Sequence, residues 1–147
     1  MDQLYGKVKI MLLNLSNHPV RGVWNPQKER YENAWSPEQI SAAHEEFGEI
    51  IDEPFPMIPP EYSGEEVRQL AMTYLEKCKT VLGAPCDGNA VMLSGEIVFC
   101  SMLSRMLLDA GYRVICATTK RIVTDMGEGR TIKDFKFVKF REYGNIK

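Results

Sequence analysis

The sequence contains little of what builds metal sites or covalent cross-links. Its 147 residues include only two histidines and four cysteines, and no two cysteines form a C-x-x-C pair. Zinc sites need closely spaced Cys and His ligands, so we expect no metal site. Three of the cysteines, Cys78, Cys100 and Cys116, fall on apolar faces of predicted elements, where a thiol acts as a small hydrophobe. This use of cysteine favours a reducing, cytoplasmic location.

Long hydrophobic runs and targeting segments are also missing. No apolar stretch approaches the roughly 18 residues of a membrane span, and the opening residues, MDQLYG, lack the basic and apolar regions of a secretory signal. The composition, with 44% apolar and 26% charged residues, is that of a folded protein. We therefore expect a single domain spanning residues 1–147, with no membrane contact.

Two segments of the chain each carry an excess of charge of one sign. Between Glu29 and Glu66 there are eleven acidic residues and one basic residue, whereas the segment from Lys120 to Lys147 has eight basic and four acidic residues. The net charge of −2 hides this asymmetry. A basic end can steer an anionic ligand to one side of a molecule. The alternative is that both segments are simply solvated.

The hydrophobic periodicity predicts alternating strands and helices. Apolar runs predict strands at 7–15, 49–52, 89–93, 113–117 and 133–143. Capping residues and glycines predict helices between 36 and 48, between 63 and 83, and from 96 to about 110. This alternation predicts an α/β fold, a three-layer Rossmann-like sandwich with a mainly parallel sheet and a C-terminal β-hairpin. Strand orders 2-1-3-4 and 3-2-1-4 both obey the connection rules.

Two segments depart from simple periodicity. Residues 22–31 show no regular pattern and predict a long loop. In the last strand the apolar residues are first Phe135 and Phe137, then Val138 and Phe140, and this change of phase indicates burial on both faces or a β-bulge. A turn is predicted at 127–129.

Polar side chains follow the first predicted strand at the point where it ends. In open α/β sheets, ligands bind beyond the carboxyl ends of the strands, near the switch in strand order. Asn14, Ser16 and Asn17 offer donors and acceptors suited to ribose or base edges. His18 either acts as an acid or base near neutral pH or serves only as a turn element before proline.

Ser94, Gly95 and Glu96 join the third predicted strand to a helix. Gly95 lets a ligand approach the backbone closely, and the free N–H groups at a helix start favour an anion. Plain capping of the helix by Glu96 is the alternative. The segment is neither a Walker loop nor a G-x-G-x-x-G motif, so the sequence predicts neither ATP hydrolysis nor a nicotinamide cofactor, and we expect none of another kind.

Thr118, Thr119, Lys120 and Arg121 follow the fourth predicted strand. Arginine binds phosphate in bidentate fashion and lysine acts as a point charge, so we expect a phosphate to lie here. Pairing of the two cations with the acidic residues that follow in sequence is the alternative.

Several motifs, spread over nearly the whole chain, carry a family resemblance. They are LLNLSNHP at 12–19, WSPEQ at 35–39, DEPFP at 52–56, SGE at 94–96, TTKR at 118–121 and FVKFREY at 137–143. Together they resemble a family of small, stand-alone bacterial and archaeal proteins, largely uncharacterised. Some of these look like CRISPR-associated Rossmann-fold (CARF-like) proteins.

This resemblance implies a homodimer that binds a cyclic oligoadenylate across its two-fold axis. Some such proteins are ring nucleases, in which a ribose 2′-hydroxyl attacks the adjacent phosphate without a metal while the protein positions the sugar and stabilises charge. By position, residues 16–18 would contact sugar or base, residues 94–95 would contact phosphate, and residues 120–121 would stabilise developing charge. No defined catalytic motif of that group matches the chain.

Three classes of function follow from these observations. The first is a nucleotide-binding protein. It would be either a CRISPR-associated sensor of a cyclic oligonucleotide or a metal-independent ring nuclease, with His18, Lys120 and Arg121 as catalytic residues. The second is a non-catalytic protein-interaction module, in which the polar strand ends are only caps. The third is a small transferase or hydrolase acting on a nucleoside, with His18 or Glu96 as its base.

Overall fold

A computed structural model describes residues 9–144. The opening segment MDQLYG, the first two residues of the predicted strand 7–15, and Lys147 lie outside this range. The strands are β1 (Met11–Ser16), β2 (Val23–Asn25), β3 (Arg30–Glu32), β4 (Glu49–Asp52), β5 (Ala90–Ser94), β6 (Arg113–Gly127) and β7 (Arg130–Glu142). The helices are α1 (Pro37–Phe47), α2 (Gly64–Leu82) and α3 (Ile97–Asp109).

The main sheet has five strands in the order β4-β1-β5-β6-β7. The pairs β1–β4, β1–β5 and β5–β6 are parallel, and β7 runs antiparallel to β6. The mixed α/β class, the mainly parallel sheet and the antiparallel C-terminal hairpin are therefore confirmed. Of the two predicted strand orders, the structure has the one in which the first strand lies between the second and the third.

The two faces of β1 are covered by different helices. Leu12 packs in a cluster with Ala43 and Phe47 of α1. Leu13 and Leu15 point the other way, into a larger cluster built by α2 and α3. Every residue of β1 is buried, as its unbroken apolar run predicts for a central strand of a parallel sheet.

Two predicted boundaries were wrong. The predicted loop at 22–31 contains the β2–β3 hairpin, which holds Trp24 against Tyr31 with ring centroids 5.2 Å apart. The fourth strand, predicted to end at residue 117, continues as β6 to Gly127. Residues 118–124 are rich in threonine, isoleucine and valine, whose branched side chains favour extended structure.

The phase change in the last strand is a β-bulge. Thr118 pairs with Lys139 and Thr119 with Phe137, so Val138 is an extra residue in β7. The bulge places Phe137 on the same face of the ribbon as Phe140, and their ring centroids are 5.1 Å apart. The predicted turn at 127–129 is present and joins β6 to β7.

Two of the cysteines are deeply buried and unpaired. Burial raises the pKa of the Cys78 thiol to about 12 and that of the Cys100 thiol to about 11. Both thiols therefore stay protonated at neutral pH and pack as small apolar groups. In residues 9–144 no helix is long and apolar enough to cross a membrane.

Candidate functional site

A pocket of about 280 Å³ lies at the carboxyl edge of the sheet, where β1 and β4 end. Its lining residues come from the two strand ends and the segments that follow them. They are Asn14, Ser16, Asn17, Pro19, Val23, Asp52, Glu53, Pro54 and Phe55. Because β1 is flanked by β4 on one side and β5 on the other, the pocket is next to the point where the strand order switches.

Asn14 is the centre of the buried hydrogen-bond network under this pocket. Its Nδ2 donates to Asp52 Oδ1 at 2.8 Å and to the His18 carbonyl at 2.9 Å, while its Oδ1 accepts from Ser16 Oγ at 2.7 Å. The side chains of Asn14 and Ser16 are almost fully buried. The two predicted ligand-binding residues therefore use their polar atoms to tie β1 to β4 and to shape the pocket floor.

The turn after β1 is held through the backbone of His18. Its carbonyl also accepts from Trp35 Nε1 at 2.8 Å, and its N–H donates to Ser16 Oγ at 3.2 Å. The imidazole itself is exposed to solvent. His18 is thus fixed in position by its main chain, with its ring free to meet a ligand.

The polar groups left for a ligand are on Asn17 and Glu53. Asn17 is exposed. The Asp52 carboxylate accepts a hydrogen bond from Asn14 Nδ2. Its Oδ1 and Oδ2 also accept from the Val20 N–H, at 3.2 and 3.1 Å, and so help to fix the loop that follows β1. In contrast, the Glu53 carboxylate has no hydrogen-bond or ion-pair partner in the described part of the chain. Glu53 also lines a second pocket, against α2. Of the two carboxylates that line the first pocket, it is the one that a ligand hydroxyl could bind without displacing an internal hydrogen bond.

The sequence analysis included DEPFP at 52–56 among the motifs of the family resemblance but did not name Glu53 as a site residue. The signal was present in DEPFP, where two carboxylates and an aromatic ring follow a short strand. What could not be read from sequence is which carboxylate is used internally. That division depends on where the Val20 loop returns to the strand end.

The junction between β5 and α3 is closed by its own side chains. The Glu96 carboxylate accepts from the N–H groups of Val98 at 3.1 Å and Phe99 at 2.7 Å. A Cβ added to Gly95 would overlap the Phe55 ring, so this glycine is required for the close approach of that ring. Ser94 is the register partner of Ser16 on β1. A phosphate would reach the helix N–H groups here only with Glu96 turned away.

We expect Glu96→Ala to lower the free energy of unfolding by about 1 kcal/mol, because it removes the N-cap acceptor. The freed N–H groups at the positive end of α3 should then attract an anion. Inorganic phosphate should consequently raise the melting temperature of this variant more than that of the wild type. Thermal melts with and without phosphate measure this.

Glu65→Ala provides the control for this substitution, since Glu65 is an exposed first-turn residue of α2 that is not the N-cap. Its response to phosphate should match the wild type. Equal responses of the Glu96 and Glu65 variants would contradict an anion site hidden under Glu96.

The four residues predicted to hold a phosphate all lie on β6, within the part that extends past β5. Thr118 Oγ1 donates to the Lys139 carbonyl at 3.0 Å, so its hydroxyl is used to fix the bulge. Because successive strand residues point to opposite faces, Lys120 and Arg121 lie on opposite sides of the ribbon. Lys120 is directly opposite Lys136, and Arg121 is directly opposite Phe135.

The predicted site residues therefore form three groups. Residues 14–18 and 94–96 are on neighbouring strand ends, whereas residues 118–121 are on a neighbouring ribbon that rises beyond the same edge. Lys120 makes no ion pair within residues 9–144. Like charges directly opposite each other destabilise a strand pair, so the Lys120–Lys136 pair favours an anion between them.

Comparison with known families places the chain. The model of the family described as the uncharacterised protein MJ1673 family matches residues 10–141. The chain belongs to this family. The matched range includes all three groups of predicted site residues and both strands of the C-terminal hairpin. An uncharacterised family agrees with the expectation from sequence, and the match identifies neither a CARF nor a ring-nuclease family. No curated protein and no solved structure matches the chain.

Proposed function

We propose that this MJ1673-family protein binds a nucleotide at the carboxyl edge of its sheet, with the nucleoside in the β1–β4 pocket. The observation that carries the proposal is the position of this pocket beside the switch in strand order, with the Glu53 carboxylate unengaged in its wall. Carboxylates at strand ends of doubly wound sheets accept hydrogen bonds from ribose hydroxyls. The exposed amide of Asn17 supplies both a donor and an acceptor for a base edge.

The fold supports the same proposal by analogy. We interpret it as a three-layer, Rossmann-like sandwich, because the order β4-β1-β5-β6-β7 corresponds to the 2-1-3-4-5 order of flavodoxin-like sheets. Such sheets bind their ligands at the switch between the first and third strands, here β1 and β5, and the pocket is adjacent to this switch on the β4 side of β1.

The phosphates of the ligand would extend toward the base of the β6–β7 ribbon. β1 and β6 are two strand spacings apart, about 10 Å, and the Lys120–Lys136 pair lies just beyond the edge. A ligand with more than one phosphate, such as a cyclic oligonucleotide, bridges this separation. Binding across the two-fold axis of a homodimer would place two such pockets on one ring.

Cleavage of a bound ring is the catalytic form of this proposal. The ribose 2′-hydroxyl would lose its proton to a base as its oxygen bonds to phosphorus, and the 5′-oxygen would leave with a proton from an acid, giving a 2′,3′-cyclic phosphate. The exposed His18 ring would serve as acid or base, while Lys120 or Arg121 would stabilise the charge on phosphorus. No metal enters this reaction. Glu96 is already committed to capping α3, which disfavours it as the base of a nucleoside transferase or hydrolase.

Calorimetric titration with adenosine, AMP, ADP, cyclic di-AMP and a cyclic tetra-adenylate tests binding. We expect Glu53→Gln, and separately Lys120→Ala plus Arg121→Ala, to weaken binding at least about tenfold, each through a lost charged hydrogen bond. The melting temperature should be nearly unchanged because these side chains have no ion pair or hydrogen bond to lose among residues 9–144. Glu61→Gln and Lys9→Ala plus Arg105→Ala remove equal charge at exposed positions elsewhere and should bind like the wild type.

Chromatography of the incubated ligands then separates the classes of function. Binding with a linear or cyclic-phosphate product that His18→Ala abolishes supports a ring nuclease, and binding without turnover supports a sensor. Absence of binding for every ligand, or equal affinities for the site and control variants, would refute the nucleotide site.

A further inference from the structure

The β6–β7 ribbon extends well beyond the rest of the sheet. β6 pairs with β5 only as far as Ile115, and from Thr118 onward it pairs with β7 alone. The ten residues from 118 to 127 span about 30 Å at the usual strand rise. All residues from 119 to 136 are exposed. We call residues 118–139 the arm.

One face of the arm is aromatic and basic. The strand register and the bulge at Val138 place eight residues on it, and we call this set the aromatic face: Thr119, Arg121, Val123, Asp125, Thr131, Lys133, Phe135 and Phe137. It begins in the core, since Phe137 contacts Phe140, which in turn packs on Trp35 and Phe47. It ends in solvent, where the exposed fraction is 69% for Phe135 and 52% for Val123.

An arm of this kind is not self-sufficient. A two-stranded ribbon alone is marginally stable in water, and three strands or a covering element are normally needed. Exposed apolar patches rimmed by charge mark interaction surfaces. We propose that the aromatic face of the arm docks on a second copy of this chain, against its β2–β3 hairpin and α1.

Charge complementarity identifies the second copy as the occupant. The arm has six basic and three acidic residues, whereas α1 has three acidic residues and no lysine or arginine. Glu38 and Glu45 of α1 are exposed and have no ion pair among residues 9–144. Docking of one arm on another would bring two net positive ribbons together, so a contact between the arm and the body of the second copy is favoured.

The receiving surface also offers apolar groups of similar exposure. On the β2–β3 hairpin the exposed fractions are 50% for Trp24 and 46% for Tyr31. Arg21 stacks on the outer part of this hairpin, 5.0 Å from the Tyr31 ring centre. One chain thus carries both halves of a contact, a basic aromatic ribbon on one side, and on the other an aromatic hairpin with balanced charge together with the acidic helix α1.

The area of contact favours a reciprocal, two-armed dimer. One face of a ribbon about 30 Å long and about 10 Å wide covers on the order of 300 Å². One arm on one body would then bury about 600 Å² in total, and two symmetric contacts about 1,200 Å², which is the lower end for stable interfaces. A two-fold dimer in which each copy extends its arm to the other meets this requirement.

Analytical ultracentrifugation of the protein without nucleotide tests the dimer. We expect a wild-type dimer whose dissociation constant rises at least about tenfold in Phe135→Ser and in Trp24→Ser, because each loses a buried aromatic anchor. Ile132→Ser, on the opposite face of the arm and 46% exposed, should dimerise like the wild type. Circular dichroism melts check that all three variants remain folded.

A mixing experiment distinguishes the docked pair from other arrangements. In a mixture of Phe135→Ser and Trp24→Ser chains, a heterodimer has one contact between an unchanged arm and an unchanged hairpin. Its other contact, between the Phe135→Ser arm and the Trp24→Ser hairpin, contains both substitutions. The mixture should therefore associate more tightly than either variant alone. A monomeric wild type, an equal loss in Ile132→Ser, or no recovery on mixing would overturn the inference. A monomeric wild type would also remove the binding of one ring by two pockets, whereas nucleotide binding in a single pocket is measured separately by the titrations.

Discussion

At pH 7 the substitution Asn14→Asp is expected to lower the free energy of unfolding by about 3 kcal/mol, because it buries a negative charge that has the Ser16 hydroxyl as a donor but no cation beside it. In the wild type, Asn14 Nδ2 donates to Asp52 Oδ1 and to the His18 carbonyl. A carboxylate in its place has no N–H group to donate to the His18 carbonyl oxygen or to Asp52 Oδ1. It would also lie within hydrogen-bond distance of a second carboxylate, where two like charges repel.

The penalty should depend on pH in a defined direction. Burial and the neighbouring Asp52 carboxylate both raise the pKa of the new carboxyl group in the folded state above that of the unfolded chain. The folded variant therefore takes up a proton more readily, and its stability relative to the wild type rises as the pH falls from 7 toward about 4. Protonation also restores one donor, so the two carboxyls can share a proton.

Urea unfolding of wild type and variant at several pH values measures this difference. Asn17→Asp is the matched control, since Asn17 is three residues away and exposed. Its stability should differ from the wild type by less than about 0.5 kcal/mol at every pH. A penalty for Asn14→Asp that does not vary with pH would mean that the charge, and with it the Asn14–Asp52 contact, is not the cause.

Asn89→Ala is expected to cost a similar amount, about 3 kcal/mol, for a different reason. Asn89 is fully buried at the amino edge of the sheet. Its Nδ2 donates to the carbonyls of Lys9 and Ala84, both at 3.1 Å, and its Oδ1 accepts from the Cys86 N–H at 3.3 Å. Alanine leaves these backbone groups unpaired where water cannot easily replace the amide.

Thermal and urea unfolding of Asn89→Ala check this value. The exposed neighbour Asp87, whose side chain has no hydrogen bond in the structure, gives the control Asp87→Ala, expected within about 0.5 kcal/mol of the wild type. Because Asn89 is at the edge opposite the pocket, nucleotide affinity of the folded variant should not change. A stability loss below about 1 kcal/mol would show that solvent satisfies the exposed backbone groups.

The elements that sequence predicts well are those with a complete local signal. α2 is an example: Ser63 and Glu66 form the reciprocal capping box that their spacing predicts, and Gly83 ends the helix. β4 is another, since its four residues are bounded by Gly48 and a proline-rich segment. In these cases the competing conformations are excluded by residues within the element itself.

What sequence could not supply depends on contacts between distant segments. The extension of β6 to Gly127 is stabilised by β7, whose pairing residues come later in the chain. The sequence likewise predicts Arg113 only as a strand residue. In the structure its guanidinium forms ion pairs with Glu46 of α1, at 2.9 Å, and with Glu142 of β7, at 2.5 Å. These carboxylates raise the pKa of Arg113 despite its partial burial.

The candidate site shows the same division. Asn14 and Ser16 were selected because they end a buried strand, and they do lie at the pocket. Sequence could not reveal that their polar atoms are used internally, because the partner carboxylate is 38 residues away in Asp52. Likewise, the TTKR motif suggested joint phosphate contacts, and only the extended backbone separates Lys120 from Arg121.

The central position of β1 has a consequence for how the chain is made. Leu12 pairs with Ala90, 78 residues later, so the strand MLLNLS cannot be covered on that side until β5 has left the ribosome. At about 5–20 residues per second, this exposes an apolar strand for several seconds of synthesis. The first core strand to be synthesised, β1, is thus among the last to be enclosed. During that interval it is the part of the nascent chain that a chaperone would bind.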